Sequence, residues 1–214
     1  MFALNHAVVP CTLCGNYAAA AAHAQELVGL AEEKGSLSWK ANGMIRQGSV
    51  LALAGRAADA IEMLMSGITA YRTIGQTVWM PFHLSHLARA HAKLGRFDDA
   101  WCRLGEALTA IETTKEQWCE AEVNRIAGEI ALMSPEPDTT KAEAYFECAL
   151  AVARQQQAKS WELRAATSMA RLWRDQGKPQ QARELLAPVY GWFTEGFDTR
   201  DLKKAKALLE ELAA

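Results

Sequence analysis

Proline is scarce in this chain, six in 214 residues, and β-branched residues are few beside alanine and leucine. Ala and Leu head the helix-propensity ranking, so that balance leans away from sheet. An excess of one charge is also missing: 23 basic against 25 acidic residues leave a net −2. No electrostatic footprint for nucleic acid or anionic lipid follows. No apolar run approaches the roughly 20 residues of a membrane-spanning helix. The first residues, MFALNHAVVPC, lack the basic and apolar regions of a signal peptide. The five cysteines are odd in number and without framework spacing, which suits a reducing compartment. The expectation is a cytoplasmic chain that takes neither nucleic acid nor membrane as a partner.

What is present is a repeat. CGNYAAAAAHAQEL from Cys14, AGRAADAIEMLMSGI from Ala54 and LGRFDDAWCRLGEAL from Leu94 superpose with shifts of 40 residues. Gly15, Gly55 and Gly95 align, as do Ala20, Ala60 and Ala100. A further copy places Gly177, Ala182 and Leu186 in the same columns, and a fourth offers Ala142 and Phe146 but has Pro137 where the glycine should be. Ahead of the glycines, Trp39, Trp79, Trp118 and Trp161 mark the starts of the preceding segments. Nine residues beyond each lies a small one: Gly48, Ala88, Ala127 and Ala170.

Each copy reads as two antiparallel helices. Apolar residues such as Leu84, Leu87, Ala88 and His91 recur at helical spacing. Gly95 stands where a left-handed C-terminal cap is needed, and the next helix begins near Asp98 with acidic residues in its first turn. Small residues at Ala88 and Ala100 let the backbones approach, and units that cannot bury an apolar stripe alone must stack. The predicted units are about 1–34, 35–75, 76–114, 115–157 and 158–197. Residues 198–214 form a capping helix with Asp198 as its N-cap and Leu202, Ala205, Leu208 and Leu209 on its apolar face.

Tyr17, Phe97, Ala100, Phe146 and Ala149 echo the Gly-x-Tyr, Ala and Phe-x-x-Ala columns of the tetratricopeptide repeat family, which this chain resembles. HEAT repeats share the longer period, but the glycine–aromatic–alanine turn signature favours the tetratricopeptide kind. The resemblance implies an all-α fold, a right-handed superhelix of about five helix pairs, and protein binding as a scaffold. The stretch Ala158 to Leu212 is similar to the C-terminal end of bacterial multidomain proteins carrying an ATPase module, often after a class III adenylate cyclase or a DNA-binding domain. That likeness implies a signalling or regulatory module and an upstream ATPase or cyclase domain as a candidate partner. It carries over no catalytic residue, since no G-x-x-x-x-G-K-[ST] loop occurs. The first copy has a shorter lead before its glycine, so residue 1 falls inside a helix by this alignment. The expectation is a detached portion of a larger protein or a shortened reading frame.

Candidate chemistry is thin. Cys11 and Cys14 make a C-x-x-C with His6 and His23 nearby, but a zinc site needs four ligands and a redox pair wants a βαβ setting. Core packing is the favoured reading. His83 and His86 are three apart and could share a metal, yet a solvated pair beside a packed His91 is favoured. Cys102, Cys119 and Cys148 are scattered, and four of the seven tryptophans serve as repeat markers. A metal- or thiol-dependent enzyme using Cys11/Cys14 or His83/His86 is the alternative to an interaction module without catalysis or cofactor. An RNA-reading helical array is disfavoured by charge and period.

In tetratricopeptide arrays the first helix of each pair lines the concave groove. Here its off-stripe residues are Asn42, Ser49, Phe82, Ser85 and Arg89, then Asn124, then Arg164, Thr167, Arg171 and Arg174. The arginines of the fifth copy, with Arg89, would make a basic floor for an acidic or carboxylate-ended peptide.

Overall fold

Alanine- and leucine-rich stretches punctuated by glycine become helices in the computed structural model of the chain, which describes residues 1–213. Among those residues there are eleven helices and no strand, so the fold is all-α. They fall into two compact units, Met1–Glu116 and Gln117–Ala214. The first contains α1 (Phe2–Leu13), α2 (Tyr17–Glu33), α3 (Leu37–Leu53), α4 (Ala57–Thr73), α5 (Met80–Lys93) and α6 (Phe97–Thr114). The second contains α7 (Glu120–Met133), α8 (Thr139–Gln155), α9 (Lys159–Asp175), α10 (Pro179–Gly191) and α11 (Arg200–Glu211).

Within each unit consecutive helices pack in solenoid fashion, and the odd-numbered ones also meet directly. α1 touches α3, α3 touches α5, α7 touches α9, and α9 touches α11. The even-numbered helices α2, α4 and α6 make no contact with one another, nor do α8 and α10. Each unit therefore has an inner layer of first helices and an outer layer of second helices.

The turns follow from the glycines. At Gly55, φ is +87°, a region that costs an L-residue with a side chain about 1–2 kcal/mol. The Gly55 N–H donates to the Ala52 carbonyl and the Arg56 N–H to the Leu51 carbonyl, the paired bonds that satisfy the last carbonyls of a helix. The same pair closes α1, α5 and α9. Between α8 and α9 the left-handed position is held by Gln157 at φ 54°. Where Pro137 replaces the glycine, α7 ends at Ser134 in extended backbone, and the Asp138 N–H reaches back to the Ala131 carbonyl. Asp138 then caps α8 by accepting from the Lys141 N–H at 2.9 Å.

The small-residue columns mark helix crossings. Ala20, Ala60, Ala100, Ala142 and Ala182 are all fully buried. A Cβ added to Gly48 would lie 2.9 Å from the Leu64 backbone nitrogen, and one on Gly128 would lie 2.4 Å from the Phe146 ring. One expected cap is corrected. Asp198 does not stand at the N-cap of α11; Thr199 does, in extended backbone and without a side-chain bond to the helix, its hydroxyl donating instead to the Gly196 carbonyl at 2.7 Å. The chain turns at Gly196, φ +75°, which moves the cap one residue on.

Candidate functional site

The inner layer of the first unit carries an unusual load of buried polar groups. Arg46 and Ser49 on α3, His83, Ser85, His86 and His91 on α5, and Asn5 and Thr12 on α1 are all buried. Some are satisfied locally: the Ser85 hydroxyl donates to the Phe82 carbonyl at 2.8 Å and the Thr12 hydroxyl to the Val8 carbonyl at 2.7 Å. The Ser49 hydroxyl makes no hydrogen bond. Of the groove residues expected here, Asn42 and Arg89 are half-buried, while Ser49, Phe82 and Ser85 lie inside the helix layer and offer little to a ligand.

Beside Asn42 the helix layer opens into a cleft of about 290 Å³. Asn5 and His6 from α1, Trp39, Asn42 and Arg46 from α3, Tyr71 at the end of α4, and Trp79 ahead of α5 form its walls. Trp79 is in left-handed backbone, φ 66°, and its backbone N–H donates to both oxygens of the Glu116 carboxylate at 2.8 and 2.9 Å. The indole faces α3, where the Arg46 guanidinium carbon lies 4.5 Å from the ring centroid. Trp39 and Trp79, the markers of two repeat starts, also wall this cleft.

Arg46 is the unusual member. It is 5% exposed, its Nε donates to the Asn5 Oδ1 at 3.1 Å, and it makes no ion pair among the described residues. Burial without a carboxylate lowers its pKa to about 10, with Tyr71 acting the other way. It therefore stays charged at neutral pH. Burial likewise raises the Tyr71 phenol, a shift that its hydrogen bond to Asn42 and the nearby Arg46 oppose.

The second unit handles its buried charge differently. Arg125 Nε donates to Glu122 Oε2 at 2.7 Å and Nη2 to Glu122 Oε1 at 2.9 Å, and Nη1 bonds Glu129 and, at 3.2 Å, Ser168. Burial works against that charge, but the two carboxylates more than offset it and hold the guanidinium pKa above its ordinary value. The expected basic floor on α9 is largely neutralised. Arg164 pairs with Asp201 and Glu122, and Arg174 with Glu211 and Asp175. Two of those acids belong to α11, which packs on α9 and lies outside the repeat pattern that pointed to the arginines. Arg171 is half-buried and has no ion pair among the described residues. Asn124 and Thr167 are buried and bond carbonyls of their own helices, Glu120 at 2.9 Å and Leu163 at 2.7 Å.

The sulfur and imidazole groups need two corrections. Cys11 is half-buried against Val8, Ala20, Ala24 and Val50, but Cys14 is exposed, because the helix ends there and Cys14 becomes its C-cap. Core packing therefore holds for the first cysteine only. His83 and His86 are not a solvated pair; both are buried, since α5 is covered on more than one side by α3, α4 and α6. Both ring nitrogens of His83 lack a hydrogen-bond partner. Burial, then the charge of Arg46 and the proximity of His86, push the His83 pKa well below its ordinary value. His91 is buried as its repeat column requires. No group of three or more His, Cys, Asp or Glu is placed to hold a metal ion among the described residues.

One column carried the signal that was missed. Arg46, His86, Arg125 and Ser168 each stand two residues before the small residue of the first helix, and all four are buried. A polar column inside an apolar stripe marks the buried charge; which copies supply a counter-charge is visible only once packing is known.

No protein-family model matches the chain, and no curated protein matches it. No helix among the described residues is long and apolar enough to cross a membrane.

Proposed function

We propose that the chain is a non-enzymatic protein-interaction module of the tetratricopeptide kind, acting as a scaffold in a regulatory context such as that of an ATPase- or cyclase-linked array. The observation that carries the reading is the layering. First helices contact one another while second helices do not, so each unit gathers its polar and aromatic first-helix residues on one face. Such a face grips a peptide segment of a partner protein while the outer layer supplies rigidity. Asn42, Arg89 and Arg171, half-buried rather than enclosed in the helix layer, support that reading as the groove residues that would meet it. For the metal- or thiol-enzyme alternative, no third metal ligand joins Cys11/Cys14 or His83/His86 among the described residues.

Selection of binders from a random peptide library against the whole chain tests this reading. Selected peptides are expected to lose at least about tenfold in affinity, roughly 1.4 kcal/mol, with Asn42→Ala or Arg171→Glu. The exposed outer-layer change Glu62→Lys on α4 should leave them unaffected. Failure to select any peptide, or sensitivity to the outer layer alone, contradicts it.

A further inference from the structure

Arg46 and Arg125 occupy the same repeat column, 79 residues apart, and both are buried. Arg125 is held by Glu122 and Glu129. The residues in the matching columns of the second copy, 79 earlier, are Gly43 and Val50. Neither supplies a carboxylate. Arg46 keeps its place in the fold and lacks the counter-ion that its counterpart has, and its side chain lines an open cleft of about 290 Å³. Taking a charge out of water without a partner is costly, so a group that brings the missing carboxylate binds there with that deficit in its favour.

We propose that the cleft is a binding site for a small carboxylic acid with an aromatic or aliphatic body. Its carboxylate takes the guanidinium N–H groups of Arg46 that Asn5 does not use. The amide of Asn42 stands on the same helix face one turn earlier, and Trp39, Tyr71 and Trp79 enclose the apolar body. The volume sits at the small end of ligand pockets, enough for an amino-acid-sized or benzoate-sized molecule and too little for a folded segment. The charge favours a monoanion: one guanidinium balances one carboxylate, whereas a phosphate dianion would keep about one uncompensated charge among amides and rings. Glu116 does not supply the missing counter-ion: its carboxylate accepts the Trp79 backbone N–H, and it is not among the charges that act on the Arg46 guanidinium. The cleft shares Trp39 and Asn42 with the peptide-binding face, but benzoate titration and Asn5→Asp read the cleft alone, so either reading can fail without the other.

Calorimetric titration of the whole chain with benzoate, benzamide and inorganic phosphate decides it. Benzoate is expected to bind one to one with Kd of about 1 mM or tighter, benzamide at least tenfold more weakly, and phosphate more weakly than benzoate. Asn5→Asp is the decisive variant. It is nearly isosteric, sits 3.1 Å from Arg46 Nε, and gives the arginine an internal carboxylate, so it should raise the melting temperature and weaken benzoate at least tenfold. Trp39→Leu, at the cleft wall, should weaken benzoate and benzamide alike. The proposal is overturned if benzoate does not bind, if benzamide binds as well as benzoate, if phosphate binds more tightly, or if Asn5→Asp leaves benzoate affinity unchanged.

Discussion

Gly29 and Gly48 are both glycines inside helices, and a methyl group added to each has opposite consequences. Around Gly29 a Cβ meets nothing within 4 Å, so Gly29→Ala should raise stability by about 0.5–1 kcal/mol through reduced freedom of the unfolded chain. At Gly48 the same methyl runs into Leu64, backbone included, and Gly48→Ala should cost about 1–3 kcal/mol. Urea unfolding of the two variants checks both signs. Gln157 is the converse case. It holds a left-handed turn that glycine holds at Gly55, Gly95 and Gly177, and Gln157→Gly should stabilise by about 1 kcal/mol. The small-residue columns were legible in the sequence because contact distance at a crossing admits nothing larger. The left-handed turn at Gln157 was not, because a glutamine carries no turn signal.

His83 adds a pH dependence at the same scale. Its folded-state pKa is depressed by burial, so the neutral form is the one the fold accepts. Above the unfolded value of about 6.5 both states are neutral and the stability is fully present. As pH falls below that, the unfolded chain takes up the proton first and stability declines, by up to about 1.4 kcal/mol per pH unit for one such group. His83→Leu should flatten that decline between pH 6.5 and 5, measured by thermal unfolding across the range. An unchanged slope would assign the effect to other groups.

At the scale of elements, the glycine period and the tryptophan positions located the helices because both mark ends: the glycine by its φ, the tryptophan by its place beside the first turn. Asp198 is a cap by residue type, but the turn at Gly196 carries the helix start one residue on, to Thr199. Asp138 is a cap in fact, bonding the Lys141 N–H. Asp138→Ala should lower stability by about 1 kcal/mol, readable as a shift in urea midpoint. The arginines of α9 show a limit of another kind. Their spacing on one side of a helix was plain, but Asp201 and Glu211 come from α11, and no periodicity within the repeats announces a partner from outside them.

At the scale of the whole chain, the all-α character was legible from composition and repeat length, while the division at Glu116 and Gln117 was not. It falls between two copies that the alignment treats as equivalent, and it arises from which helices touch. Arg46 shows why the site was only partly legible. Its column is polar in every copy, but whether a buried arginine is already neutralised depends on the columns three before and four after it, which hold Gly43 and Val50 in one copy and the ion-pairing Glu122 and Glu129 in another. The inner layer is the surface on which the functional reading depends.

Hydroxyl-radical footprinting of the whole chain with a selected peptide tests that dependence most directly. The layering predicts that the peptide slows oxidation of the half-buried inner-layer Trp39 or Trp161 and leaves the exposed Met65 of α4 and the half-buried Trp101 of α6 oxidised as in the free chain. Protection of Met65 and Trp101, with Trp39 and Trp161 oxidised as in the free chain, would contradict it.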